Sequence, residues 1–89
     1  MWKIEYTETA RKNLLAMGKQ EAKRIKEYLD KRIATNNNPC RFGESLKGDL
    51  AGLWKYRVGK FRVIVEIQED IKTVLVVCIG HRKNVYGGH

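Results

Sequence analysis

Residues 53–67 read Leu53-Trp54-Lys55-Tyr56-Arg57-Val58-Gly59-Lys60-Phe61-Arg62-Val63-Ile64-Val65-Glu66-Ile67, and this stretch decides the fold. Side chains on a strand alternate between the two faces of a sheet. Glycine first in a two-residue connection signals a tight type II′ hairpin, because that position needs a positive φ. A turn at Gly59-Lys60 sets Val58 opposite Phe61, Arg57 opposite Arg62, Tyr56 opposite Val63 and Lys55 opposite Ile64. One face then holds Trp54, Tyr56, Val58, Phe61, Val63, Val65 and Ile67. It is almost entirely apolar and must be covered. The other face holds Lys55, Arg57 and Arg62, with Ile64 and Glu66 beyond.

The residues on either side supply the cover. Trp2-Lys3-Ile4-Glu5-Tyr6 alternates and reads as a short strand. Thr7 is a helix N-cap with Glu8 in the first turn, where a carboxylate meets the positive helix end. Ala10, Leu14 and Met17 follow at helical spacing, and Gly18 stops the helix. A second helix starts near Lys19 or Gln20. Its apolar stripe is Ala22, Ile25, Leu29 and Ile33, with Lys23, Lys26, Glu27, Asp30 and Lys31 facing outward. Asn36-Asn37-Asn38-Pro39 ends it. Downstream of the hairpin, residues 68–72 are turn-like. Residues 73–79 are β-branched and apolar, which predicts a central strand or one covered on both faces. The order β-α-α-β-β-β predicts one α+β domain over residues 1–89. In it a helical hairpin packs on one face of a mostly antiparallel sheet of about four strands.

Composition narrows the function. The chain has 89 residues, too few for a second domain, and its 43% hydrophobic content is too high for a disordered chain. The longest apolar run, residues 74–79, is too short to cross a membrane. Residues 1–6 lead at once into a charged helical segment, which is not a secretory pattern, so a cytoplasmic protein is expected. Cys40 and Cys78 form neither a disulfide framework nor a zinc motif and read as free thiols. The net charge is +8, spread evenly over both halves of the chain. Such a balance favours a polyanionic partner if folding gathers the cations on one face.

The hairpin gathers three of them. Arg57 directly opposite Arg62, with Lys55 two residues away, costs stability, since like charges across a strand pair repel by ~0.2–1 kcal/mol. A broken local rule of this kind marks a functional site. The plain alternative is a solvated face whose cations meet Glu66 or other carboxylates. His81, Arg82, Lys83 and Tyr86 follow from a strand end, a common place for working side chains. Tyr86 can stack on a base, supply a phenol near the cations, or cap the edge of the core. No phosphate-binding glycine loop, zinc spacing or serine triad is present. The remaining inventory of Lys, Arg, Tyr and His suits attack of a ribose 2′-OH on the adjacent phosphate. Arginines stabilise the charge that builds on phosphorus, and a lysine crowded by cations can serve as general base.

Three motifs carry a family resemblance: Leu46-Lys47-Gly48, the string Trp54 through Ile64, and Gly80-His81-Arg82-Lys83-Asn84-Val85-Tyr86. Together and in this order they resemble the RelE toxins of type II toxin–antitoxin systems, within the RelE/ParE superfamily. The resemblance implies a cytoplasmic, ribosome-dependent endoribonuclease that cuts mRNA and uses no metal or other cofactor. It also implies a cognate antitoxin that covers the basic floor or displaces the terminal segment. Operator DNA would be bound only through that antitoxin. The family's catalytic set carries over as Lys55, Arg57, Arg62, Arg82 and Tyr86, with His81 as a further candidate for proton transfer. Arg62 and Arg82 are expected to stabilise the phosphate, Lys55 to act as base, and Tyr86 to orient the nucleophile or stack on a base. Arg57 stands where well-known members have lysine, and an arginine is no useful base, so its expected role is electrostatic. Lys47, Lys60 and Lys83 are expected RNA contacts. With the sequence ending soon after Tyr86, no further C-terminal helix of the kind some relatives have is expected.

Two other functions fit the same pattern. One is a ParE-like toxin, which shares the fold, acts on DNA gyrase and needs no nucleolytic set. The other is a basic module that binds RNA or an acidic antitoxin without turnover.

Overall fold

In a computed structural model, which describes residues 1–35 and 38–81 and all their side chains but those of 41 and 42, a helical layer covers one face of a mixed sheet. The elements in chain order are β1 (Lys3–Tyr6), α1 (Glu8–Met17), α2 (Lys19–Tyr28), β2 (Glu44–Ser45), β3 (Leu53–Val58), β4 (Phe61–Gln68) and β5 (Thr73–His81). The five strands lie in the order β1-β5-β4-β3-β2. β1 runs parallel to β5, and every other pairing is antiparallel. The α+β architecture follows the sequence expectation. The strand number exceeds it by one, because the two residues of β2 are too few to show any period.

The helices form where the sequence places them. Thr7 Oγ1 accepts from Ala10 N at 3.1 Å, the N-cap bond, and donates to Val77 O at 2.6 Å. One hydroxyl thus starts α1 and ties its first turn to β5. Gly18 joins α1 to α2 at φ +92°, a conformation that side-chain-bearing residues rarely adopt. The second helix continues through one widened turn, Leu29–Ile33. Its stripe of Ile25, Leu29 and Ile33 is fully buried. Lys23, Lys26, Glu27, Asp30 and Lys31 are exposed, as the spacing requires.

The core is what the hairpin pattern predicts. Tyr56, Val58, Val63 and Val65 are buried under the helices, and Trp54, Phe61 and Ile67 pack against the same cluster. From β5, Val74, Val76 and Ile79 join it. The step from Val76 to Ile79 is odd rather than even because of an irregularity in the β4–β5 ladder. Val65 pairs with Val76 but Ile64 pairs with Cys78, so Val77 is an extra residue. Such a bulge reverses the facing of every residue after it. The Ile79 amide beyond the bulge donates to Asn13 Oδ1 on α1 at 2.9 Å, so the helix satisfies a backbone group there.

Candidate functional site: the helix-free sheet face

Three hairpin cations share the face away from the helices. The register pairs Arg57 with Arg62, Lys55 with Ile64 and Val58 with Phe61, as the turn at Gly59 predicts. Gly59 has φ +61°, and Lys60 is not in the positive-φ region, which matches a type II′ rather than a type I′ turn. Opposed side chains in such a pair have Cβ atoms roughly 4.5–5.5 Å apart, so the two guanidinium stems rise side by side. Arg57 is exposed. Arg62 is half-buried, and its Nε is shielded from solvent. Lys55 is half-buried. Across the ladder Arg62 pairs with Gly80, which carries no side chain. The row Arg57–Arg62–Gly80 therefore carries two guanidiniums and, at Gly80, no side chain.

The neighbouring row is Glu44, Lys55, Ile64 and Cys78. Ile64 is only 3% exposed although it lies outside the helix-side core. Both cysteines are free thiols, as read from their number and spacing. Burial pushes the Cys78 thiol up, and burial with Glu69 nearby pushes up that of Cys40. Neither is set up as a thiolate nucleophile at neutral pH.

The remaining candidates fall elsewhere. His81 pairs with Phe61, and their rings meet edge to face with centroids 6.2 Å apart. His81 thus sits on the side of Phe61, not on the side of Arg57 and Arg62. The Val77 bulge is the reason, since simple alternation from Val74 would have sent it to the cationic face. Lys60 is at the hairpin tip with its Nζ over the Phe61 ring, 5.9 Å from the centroid. Lys47 is exposed in the segment between β2 and β3. Arg82, Lys83 and Tyr86 lie outside the described residues. The sequence reading missed Glu44, and only a pairing signal for residues 44–45 could have found it.

Tyr56 is the anchor under this face. Its ring is fully buried on the helix side, and its hydroxyl donates to Pro39 O at 2.8 Å. Burial is the main cause that pushes its hydroxyl well above the ordinary tyrosine range, so it remains a neutral donor. Tyr56→Phe leaves the Pro39 carbonyl buried without that partner and is expected to cost about 1–3 kcal/mol. Urea unfolding checks this, and an unchanged midpoint would contradict it.

Comparison with known proteins identifies the fold's relatives. The chain matches the family model described as ParE toxin of type II toxin–antitoxin system, parDE, over residues 4–86. The chain belongs to this family. As a ParE-family toxin it is similar to Toxin RelG of Mycobacterium tuberculosis, with 26% identity over 83 residues and 93% of each chain covered. It is 38% identical over 50 residues to Toxin RelE of the same organism, covering 56% of this chain and 52% of that one. Among solved structures it resembles the toxin–antitoxin complex RelBE2 from Mycobacterium tuberculosis. There the TM-score is 0.82 and the identity 26%, over 91% of this chain and 98% of that one. The RelE-like reading of the three sequence motifs therefore holds at the level of family and fold.

This ParE-family toxin also carries a groove on its helical layer. Tyr6, Leu14, Leu15 and Ala22 line it, and Arg11, Lys19, Lys23 and Lys26 are the cations around it. Leu15 is 84% exposed, which is unusual for a leucine of this layer. Burial, with Asp30 adding to it, pushes the Tyr6 hydroxyl up to about 12. The groove thus offers an apolar strip whose rim carries both signs of charge, since Glu27 and Asp30 line it beside the four cations.

Proposed function

We propose that this toxin is a ribosome-dependent mRNA endoribonuclease. The observation that carries the reading is the Arg57–Arg62 pair on the helix-free sheet face, with Lys55 beside it. A face selected only for stability would not oppose two guanidiniums. A phosphodiester placed over them removes the repulsion.

The chemistry needs no group beyond these side chains and the terminal segment. Lys55 in its neutral form takes the proton of the ribose 2′-OH. The 2′-oxygen attacks the adjacent phosphorus, and the bond from phosphorus to the 5′-oxygen breaks. The leaving 5′-oxygen takes a proton from water, the proton held by Lys55 returns to solvent, and the products are a 2′,3′-cyclic phosphate and a 5′-hydroxyl. Arg62 and Arg82 stabilise the negative charge on the phosphorane, and Arg57 adds to the field from its exposed position. Tyr86 orients the nucleophile or stacks on a base. Lys47, Lys60 and Lys83 contact RNA phosphates. His81 stays the further candidate for proton transfer, reached from the Phe61 side.

The cognate partner is an antitoxin, as in the related complex. The apolar groove on the helical layer, with a rim of mixed charge, suits an amphipathic segment, and the cationic sheet face suits an acidic cover. Operator DNA is reached through that antitoxin.

The parDE description of the family model supports a second reading, a ParE-like toxin that acts on DNA gyrase. The two part in a paired assay with the full chain. Cleavage of mRNA on translating ribosomes with no effect on gyrase supercoiling is the expected result. Inhibition of gyrase with intact mRNA would overturn it.

A further inference from the structure

Strand β5 has β1 beside it only as far as the pair of Tyr6 with Val76. Beyond that pair, among the described residues, helix α1 takes the place of a strand. Thr7 N donates to Val76 O at 3.0 Å, and Thr7 Oγ1 donates to Val77 O at 2.6 Å. Further along α1, half-buried Asn13 accepts from Ile79 N through its Oδ1 at 2.9 Å. The three bonds bracket the bulge. They hold the residue before it, the extra residue itself, and a residue just after it.

A slip of one residue here would change the cationic face. With Val77 as the extra residue, Ile79 is opposite Val63 and lies in the core, and Gly80 is opposite Arg62. A ladder running on without a bulge from the pair of Val65 with Val76 would set Ile79 opposite Arg62 and Gly80 opposite Phe61. A branched side chain would then stand beside the Arg62 guanidinium, and the core would lose an isoleucine. Residues 74–79 are all apolar, so alternation does not choose between the two registers. The bonds from α1 discriminate where the pattern does not.

We infer that Asn13 is a positioning residue for the cationic site, an assignment that rests on the nuclease reading. Asn13 stands on the helical layer and acts through β5. By accepting from Ile79 N it holds the bulge at Val77, and so keeps a glycine beside Arg62 where a slipped strand would put an isoleucine. The same register fixes where β5 hands over to residues 82–86, which carry Arg82 and Tyr86. The partner is a main-chain N–H, so the requirement at position 13 is an acceptor oxygen at the right reach. Displacing a charge-stabilising group by as little as 1 Å can cost a large part of a rate, which is how a bond on the far layer reaches the chemistry.

The test follows the full chain by amide hydrogen exchange and by single-turnover cleavage on translating ribosomes, with rates taken per folded molecule. Asn13→Ala should raise exchange at the Ile79 amide about tenfold more than at the Ile25 amide in α2, which reports overall opening. Cleavage should fall about tenfold, with the concentration for half-maximal rate unchanged within about twofold. Asn13→Asp, which keeps an acceptor oxygen, should restore most of both. Leu14→Ala, at a buried neighbour on the same helix, should lower the melting temperature and leave the rate per folded molecule unchanged. Equal changes at the Ile79 and Ile25 amides in Asn13→Ala overturn the assignment. So does a lost bond with an undiminished rate, or a Leu14→Ala rate as low as that of Asn13→Ala, which would make the effect one of stability. If the wild-type chain leaves mRNA intact, the nuclease reading falls and the assignment with it; if it cleaves and Asn13→Ala cleaves as well, only the assignment falls.

Discussion

Arg62→Ala is expected to lower mRNA cleavage on translating ribosomes by about 10²–10³-fold, the usual cost of removing one preorganised charge-stabilising donor. Two features single out Arg62 among the hairpin cations. Its Nε is shielded from solvent and the residue is half-buried, so the fold fixes where the guanidinium emerges. Its neighbour across the ladder is Gly80, which puts no side chain of its own beside the guanidinium. Arg57 is exposed on the opposite strand, so Arg57→Ala should cost less, about tenfold, because its charge is better screened by water. Arg62→Lys should recover part of the loss through its charge, but not the fork geometry that matches two phosphate oxygens. Removing one of two opposed cations also relieves repulsion, so Arg62→Ala should not lower the melting temperature through charge. A variant that stays folded and still cleaves at more than about a third of the wild-type rate would remove Arg62 from the site.

The hairpin was legible because three signals coincide in it: strict alternation, a glycine at the one position that needs positive φ, and apolar residues on a single face. Those signals fix Arg57 opposite Arg62 before any coordinates are known, and the ladder agrees. The helical stripe of Ile25, Leu29 and Ile33 was legible for the same kind of reason. The extra strand was not. Glu44–Ser45 is too short for a period, and its place depends on Gly43 meeting the ring of Tyr56, a contact between distant residues. The facing of His81 was not legible either. Residues 74–79 are all apolar, so no alternation marks Val77 as the extra residue, yet that bulge sends His81 to Phe61 and Gly80 to Arg62. Two features of the site thus come from an insertion in register that a uniform apolar run conceals.

Leu29→Ala is expected to cost about 2–5 kcal/mol of stability, the range for a buried leucine cut to alanine. The reason lies in how little holds the two layers together. Among the described residues two short helices make up the cover on one face of the sheet, so each fully buried residue of the second helix closes a large share of that core. Leu29 is 0% exposed and stands at the widened turn where that helix passes over the core, between Ile25 and Ile33. A domain of this size has about 5–15 kcal/mol to lose, so the melting temperature should fall by roughly 10 °C or more. Leu15→Ala is the matched control. It removes the same atoms from a side chain that is 84% exposed, and its effect should stay within about 0.5 kcal/mol. The contrast also separates stability from chemistry. Leu29 lies on the layer opposite Arg57, Arg62 and Lys55, so well below its melting point Leu29→Ala should cleave mRNA at the wild-type rate per folded molecule. Thermal melting followed by circular dichroism, with cleavage measured at low temperature, checks both halves. A Leu29→Ala chain that melts with the wild type would mean the helical layer is not what closes the core.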